Sequence, residues 1–232
     1  MTNEELVAKT ESLYDNGEYN QIISLIQSLP KEQQTYPLLF MLALAYSDNI
    51  DGDDEENKRQ ALKILKQISD SGEYDIKWLY LIGKTYFETN QEEYAIEYFN
   101  RINRIYQKDK EIASLMNVQH FIESCNEVLY ERALAVIFIT LKEASKDDNI
   151  TINNISENKL AIFFPKYNIK LNMEIYNLHR SGAKLLFEII YPDNYTQKYD
   201  IDGDANTYEN GISDALNKFV NIINHEFSKH CK

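Results

Sequence analysis

Carboxylates crowd together at two places in this chain, and either could hold a cation. Asp200-Ile201-Asp202-Gly203-Asp204-Ala205-Asn206 sets oxygen ligands at alternate positions, as a calcium loop does. Such a loop also needs a turn glycine where Ala205 stands and a bidentate Glu where Gly211 stands. The segment therefore reads as a polar turn before the last helix. The acidic run over residues 51–56 could bind a divalent ion loosely, but runs of like charge are usually solvated loops. His225, His230 and Cys231 gather near the end of the chain. His225 and His230 are five apart, whereas a helical metal pair wants ligands three or four apart. His120 and His179 are isolated, and spacing sets up no Ser-His-Asp or Cys-His pairing and no phosphate-binding glycine loop. The expectation is no catalytic residue, no cofactor and no metal site: a binding protein and not an enzyme.

Charge narrows the class of partner. The net charge is −13, which disfavours nucleic acid, because phosphates are bound by clustered Lys and Arg. Residues 1–126 carry 12 basic and 22 acidic side chains, and residues 127–232 carry 12 and 15. The acidic character sits mostly in the first half, where it favours a basic partner or serves solubility alone. Two scattered thiols, Cys125 and Cys231, fit a reducing compartment. The opening residues lack an apolar stretch and no run is long enough to span a bilayer, so a cytoplasmic location without membrane contact is expected.

The elements that must position any binding residues repeat themselves. Leu39-x-x-Leu42-Ala43-x-x-Tyr46 is followed by Ala61-x-x-x-Leu65-x-x-Ile68. Leu79-x-x-Ile82-Gly83-x-x-Tyr86 is followed by Ala95-x-x-x-Phe99-x-x-Ile102. The second parts are offset by 34 residues, and the first parts by 40 because residues 48–57 are inserted. Apolar residues three and four apart make one stripe per helix, and the small residues let two helices approach. A third, weaker copy comes first. It comprises Leu13-Tyr14-Asp15-Asn16-Gly17-Glu18-Tyr19 with Ile22, Ile26 and Leu29, opened by a capping box of Thr2 and Glu5. The segment over residues 79–99 resembles the tetratricopeptide repeat, with Leu79 in the Trp slot and Gln107 near the usual closing proline. That resemblance implies a helical-hairpin solenoid over residues 1–126 that binds proteins. A further helix over residues 110–125 is expected to cap it.

The second half, residues 127–232, has a different character. An apolar helix over residues 127–144 includes Leu129, Leu134, Ile137, Phe138 and Leu141. Ile169, Leu171, Met173 and Ile175 alternate with polar residues, as in a half-buried strand. Residues 160–164 and 185–191 are further strands, with turns at Ser181-Gly182 and Pro192-Asp193-Asn194. A closing helix carries Ala215, Phe219, Ile222, Ile223 and Phe227 on one face. The fold class is α+β, with three to five antiparallel strands flanked by helices. This layout is similar to that of uncharacterised bacterial α+β domains of toxin–immunity neighbourhoods.

A solenoid of hairpins presents its first helices on a concave face. Tyr14, Phe40, Leu44, Tyr80, Lys84 and Phe87 fall there by spacing, and aromatics around a single charge suit an extended or helical peptide. Helix spacing equally allows several of them to pack between hairpins. Three functions remain open: a protein- or peptide-binding module, an immunity protein that occludes the basic cleft of a toxin, or an enzyme sited near residues 200–206. No Gly- or Pro-rich linker separates the halves, so a fixed junction is expected between them. Residues 1–126 expressed alone should give a helical circular-dichroism spectrum and a cooperative melt. An aggregated or unfolded fragment would show that the chain is one folding unit.

Overall fold

The computed structural model describes residues 1–105, 117–145, 150–156, 158–179, 182–203 and 208–230. Gln107, Ser181, Asp204, Ala205, Asn206, Cys231 and much of the helix expected over residues 110–125 lie outside them, as do the side chains of His179, Phe227 and His230. The chain forms two compact units, Met1–Cys125 and Asn126–Lys232.

The first unit is built from helical hairpins. α1 (Asn3–Asp15) pairs with α2 (Tyr19–Gln27), α3 (Tyr36–Asp48) with α4 (Asp54–Gln67), and α6 (Ile76–Glu88) with α7 (Glu92–Ile105). A single turn, α5 (Ser69–Gly72), joins the last two pairs. Thr2 and Glu5 form the expected capping box, each side chain accepting from the other's backbone N–H. Gly17 (φ 73°) and Asn90 (φ 55°) take the left-handed conformation that the tight hairpin turns require. Burial follows the repeat. Ile22, Ala61 and Ala95 are fully buried at equivalent places, and so are Ile26, Leu65 and Phe99. Leu6, Leu39 and Leu79 are buried on the first helices. Trp78, beside the Trp slot, is also buried, and its Nε1 donates to the Leu65 carbonyl at 3.1 Å.

α8 (Val118–Ser145) departs from expectation. A break at residue 126 is expected from the change in composition, yet one helix runs through it. Nothing at Cys125-Asn126-Glu127 can stop a helix, since neither Gly nor Pro is present. Its buried stripe includes Leu129, Ala133, Ile137 and Leu141, whereas Phe138, expected among them, faces solvent.

The second unit is an antiparallel meander, β1-β2-β3-β4-β5 in chain order. Its strands are β1 (Thr151–Ser156), β2 (Lys159–Phe164), β3 (Ile169–His179), β4 (Gly182–Ile190) and β5 (Thr196–Asp202). Asn168 and Asn194 take positive φ at two of the turns. Leu160, Ile162, Leu171, Met173, Leu185, Phe187 and Ile201 share one buried face, where α9 (Tyr208–His230) packs on β4 and β5. Phe187 meets Phe219 edge-on at 4.7 Å and stacks on Tyr199 at 4.9 Å. The Tyr208 hydroxyl donates to the Leu129 carbonyl, tying α9 to α8.

Gly203 lets α9 dock close to the end of β5. A Cβ there would lie 2.2 Å from the Gly211 carbonyl oxygen and 2.5 Å from the Ala215 Cβ. Those atoms belong to a packed helix and cannot move aside cheaply. Gly203→Ala should cost about 2 kcal/mol in urea unfolding. An unchanged midpoint would show that the contact yields.

Candidate partner-binding face

All six residues singled out for binding are half-buried on first helices. Side-chain contacts join those helices in order and thereby define a face. The Tyr14 hydroxyl on α1 donates to Asp48 Oδ2 on α3. Lys84 on α6 donates to Asp48 Oδ1 at 3.0 Å and lies 3.6 Å from Glu88 Oε1. The other oxygen of Glu88 meets Lys58 Nζ at 2.8 Å, and Lys58 also donates to the Ser47 carbonyl at the end of α3. A chain of hydrogen bonds and ion pairs thus runs Tyr14, Asp48, Lys84, Glu88, Lys58. At the other end of the same helices, Tyr36 donates to Asp75 at 2.8 Å, and Asp75 caps α6.

The apolar members divide into two groups. Phe40 stacks on Tyr36 at 6.3 Å, and Leu44 lies one turn further along α3. Tyr80 and Phe87 both pack on Phe121 of α8, at 6.0 and 5.3 Å, and Phe121 stacks on Phe99 at 4.7 Å. Tyr80 and Phe87 therefore contribute to packing between neighbouring elements as well as to the face. Tyr14 and Lys84 are brought together through Asp48.

The sequence places Asp48 in the insert and gives Glu88 and Lys58 no role, whereas the structure puts Asp48 at the end of α3. A signal for two of them was present: Asp48 follows Leu44 by four residues and Glu88 follows Lys84 by four, at equivalent places in the repeat.

Burial and charge act against each other at Lys84. Burial alone would lower its pKa, but the hydrogen bond and charge of Asp48, with Glu88, hold it above the ordinary value. Tyr14 keeps its proton well above the usual tyrosine range, first through burial and then through its bond to Asp48. Cys125 is buried, and burial followed by the charges of Glu92 and Glu93 pushes its thiol up to about 12, so it is a poor nucleophile.

The other chemistry-bearing segments are occupied by structure. Asp200 and Asp202 lie in β5, where Asp200 accepts from the Tyr176 hydroxyl at 2.7 Å and Asp202 pairs with Lys184 at 3.1 Å. In the insert, Asp53 caps α4 and Asp51 accepts from Asn20. Among the described residues, no group of three or more His, Cys, Asp and Glu is placed to hold a metal ion. No helix among them is long and apolar enough to cross a membrane. No family model, curated protein or solved structure matches the chain.

The raised tyrosine carries a sign for pH. An unfolded tyrosine ionises near 10.0, whereas folded Tyr14 holds its proton, so rising pH favours the unfolded chain beyond that point. Tyr36 acts in the same direction, through burial and Asp75. Stability should fall between about pH 9 and about pH 11 in urea unfolding, and Tyr14→Phe should reduce the fall. An equal fall in the variant would show that Tyr14 ionises freely in the folded chain.

Proposed function

We propose that the chain is a protein-binding module of tetratricopeptide type, whose first-helix face takes a basic segment with apolar side chains from a partner protein. The observation that carries this reading is the make-up of that face. Phe40 and Leu44 are half-buried there beside Asp48 and Glu88. By helical spacing, Glu4, Glu11 and Asp15 form a stripe of α1 beside that of Tyr14, and all three are exposed. Against these carboxylates the same stripes set Lys77 and Lys84, and Lys84 is already engaged by Asp48 and Glu88. A further carboxylate from a ligand would find little free positive charge, whereas Lys or Arg would find open acids. Acidic surfaces steer basic partners and select against acidic ones. A toxin with a basic cleft is one protein of that chemistry, and rescue of cells co-expressing the two is the cellular form of the same test.

Calorimetric titration with peptides that mix Lys or Arg with Leu or Phe should show binding that weakens as salt is added. Glu11→Lys combined with Asp15→Lys should weaken it about tenfold, by placing like charges against the ligand. Asp70→Lys on α5 should leave it unchanged. Equal affinity in the double variant would remove the first-helix face from this reading.

A further inference from the structure

We propose that the chain self-associates as a symmetric dimer through the exposed face of α8 in the second unit, two copies packing antiparallel. This surface is separate from the first-helix face, and the inference does not depend on the function assigned there. Ala135, Phe138 and Ile139 lie on one stripe of α8, opposite its buried stripe, with half-buried Val128 two turns before Ala135. Phe138 is 49% exposed and Ile139 57% exposed, side by side on one helix. Exposed apolar side chains grouped this way, with charged residues at either end, are the marks of an interaction surface.

The charges indicate what covers it. Glu131 precedes the apolar centre and Lys142 follows it, on the same stripe. They are separated by about 16 Å of helix rise and cannot meet within one copy. Neither makes an ion pair among the described residues. A second copy running antiparallel, centred at the level of residue 137, sets Ala135 against the other Ile139. It brings the two Phe138 rings beside the axis. In that register Glu131 of each copy faces Lys142 of the other. Arg132 and Glu143, on the border of the same face, also fall opposite each other. A parallel pair would instead set Glu131 against Glu131 and Lys142 against Lys142. The face is therefore self-complementary in one orientation, as a twofold interface must be. It is small for a permanent interface, so the dimer should form at micromolar and higher concentrations.

The test is sedimentation velocity on the full chain over a concentration series. The native chain should shift from monomer to dimer. Glu131→Lys alone and Lys142→Glu alone should each weaken the dimer about tenfold, since twofold symmetry turns two attractive pairs into repulsive ones. An equimolar mixture of these two variants should regain the native affinity, because each then supplies the charge that the other needs. Phe138→Asp should be monomeric with an unchanged circular-dichroism spectrum. A native chain that stays monomeric at the highest concentration overturns the proposal. So do single charge variants that dimerise as well as the native chain, or a mixture that dimerises no better than its parts.

Discussion

Asp48 occupies a position that a helix disfavours. It is the last residue of α3, where the backbone carbonyls already present negative charge. It is held there because Tyr14 and Lys84 donate to its two oxygens from the neighbouring first helices, while Lys58 donates to the Ser47 carbonyl one residue before. Remove the carboxylate and Tyr14 loses its acceptor, Lys84 keeps only Glu88, and the three first helices lose the contact that sets their spacing. Leaving a buried donor unsatisfied costs roughly 1–3 kcal/mol, a sizeable fraction of the stability of any domain. Apolar stacking through Ile26, Leu65 and Phe99 supplies attraction without direction. The directional bonds of Asp48 select one register among those that stacking alone would accept.

The same device recurs and accounts for the chemistry of an acidic chain. With 37 carboxylates and 24 cations, there are too few lysines and arginines to pair with every acid. Tyrosine hydroxyls supply donors in their place: Tyr14 to Asp48, Tyr36 to Asp75, Tyr176 to Asp200 and Tyr191 to Glu226. The last pair ties α9 to the sheet, with Glu226 only 3% exposed. A tyrosine brings a neutral donor at the tip of a large apolar ring, so it adds packing area as it satisfies a carboxylate. The abundance of tyrosine, seventeen residues against one tryptophan, has this structural use in both units.

The helices of the first unit were legible because burial is periodic and the period is written in Ala, Leu and Phe. The central strands were legible for the same reason, in Ile169 to Ile175. Edge strands were not. Thr151–Ser156 is polar at most positions, and Thr196–Asp202 alternates in burial but has only Tyr199 and Ile201 as apolar residues, too few to mark a strand in sequence. The continuity of α8 was obscured by composition, which changes at residue 126 without any residue that ends a helix. At the candidate face, helical spacing places the aromatic residues on first helices. Asp48 and Glu88 were not legible, because a carboxylate in so acidic a chain announces nothing until its donors are placed in space.

The strand order has a consequence for how the chain is made. Every strand pairs with the one synthesised just before it, and each hairpin of the first unit closes on its immediate neighbour in sequence. Nearly all pairing is therefore local, the condition for fast folding and for growth from the N-terminus as the chain leaves the ribosome. Of the side-chain bonds described above, the one that spans the most sequence waits longest. The Leu129 carbonyl must wait for the Tyr208 hydroxyl, 79 residues later, and the buried face of the sheet waits with it for α9. During synthesis the completed meander therefore spends an interval with Phe187 and Leu185 exposed to water. In that interval, rather than in the finished fold, the nascent chain is most open to capture by a chaperone or to aggregation.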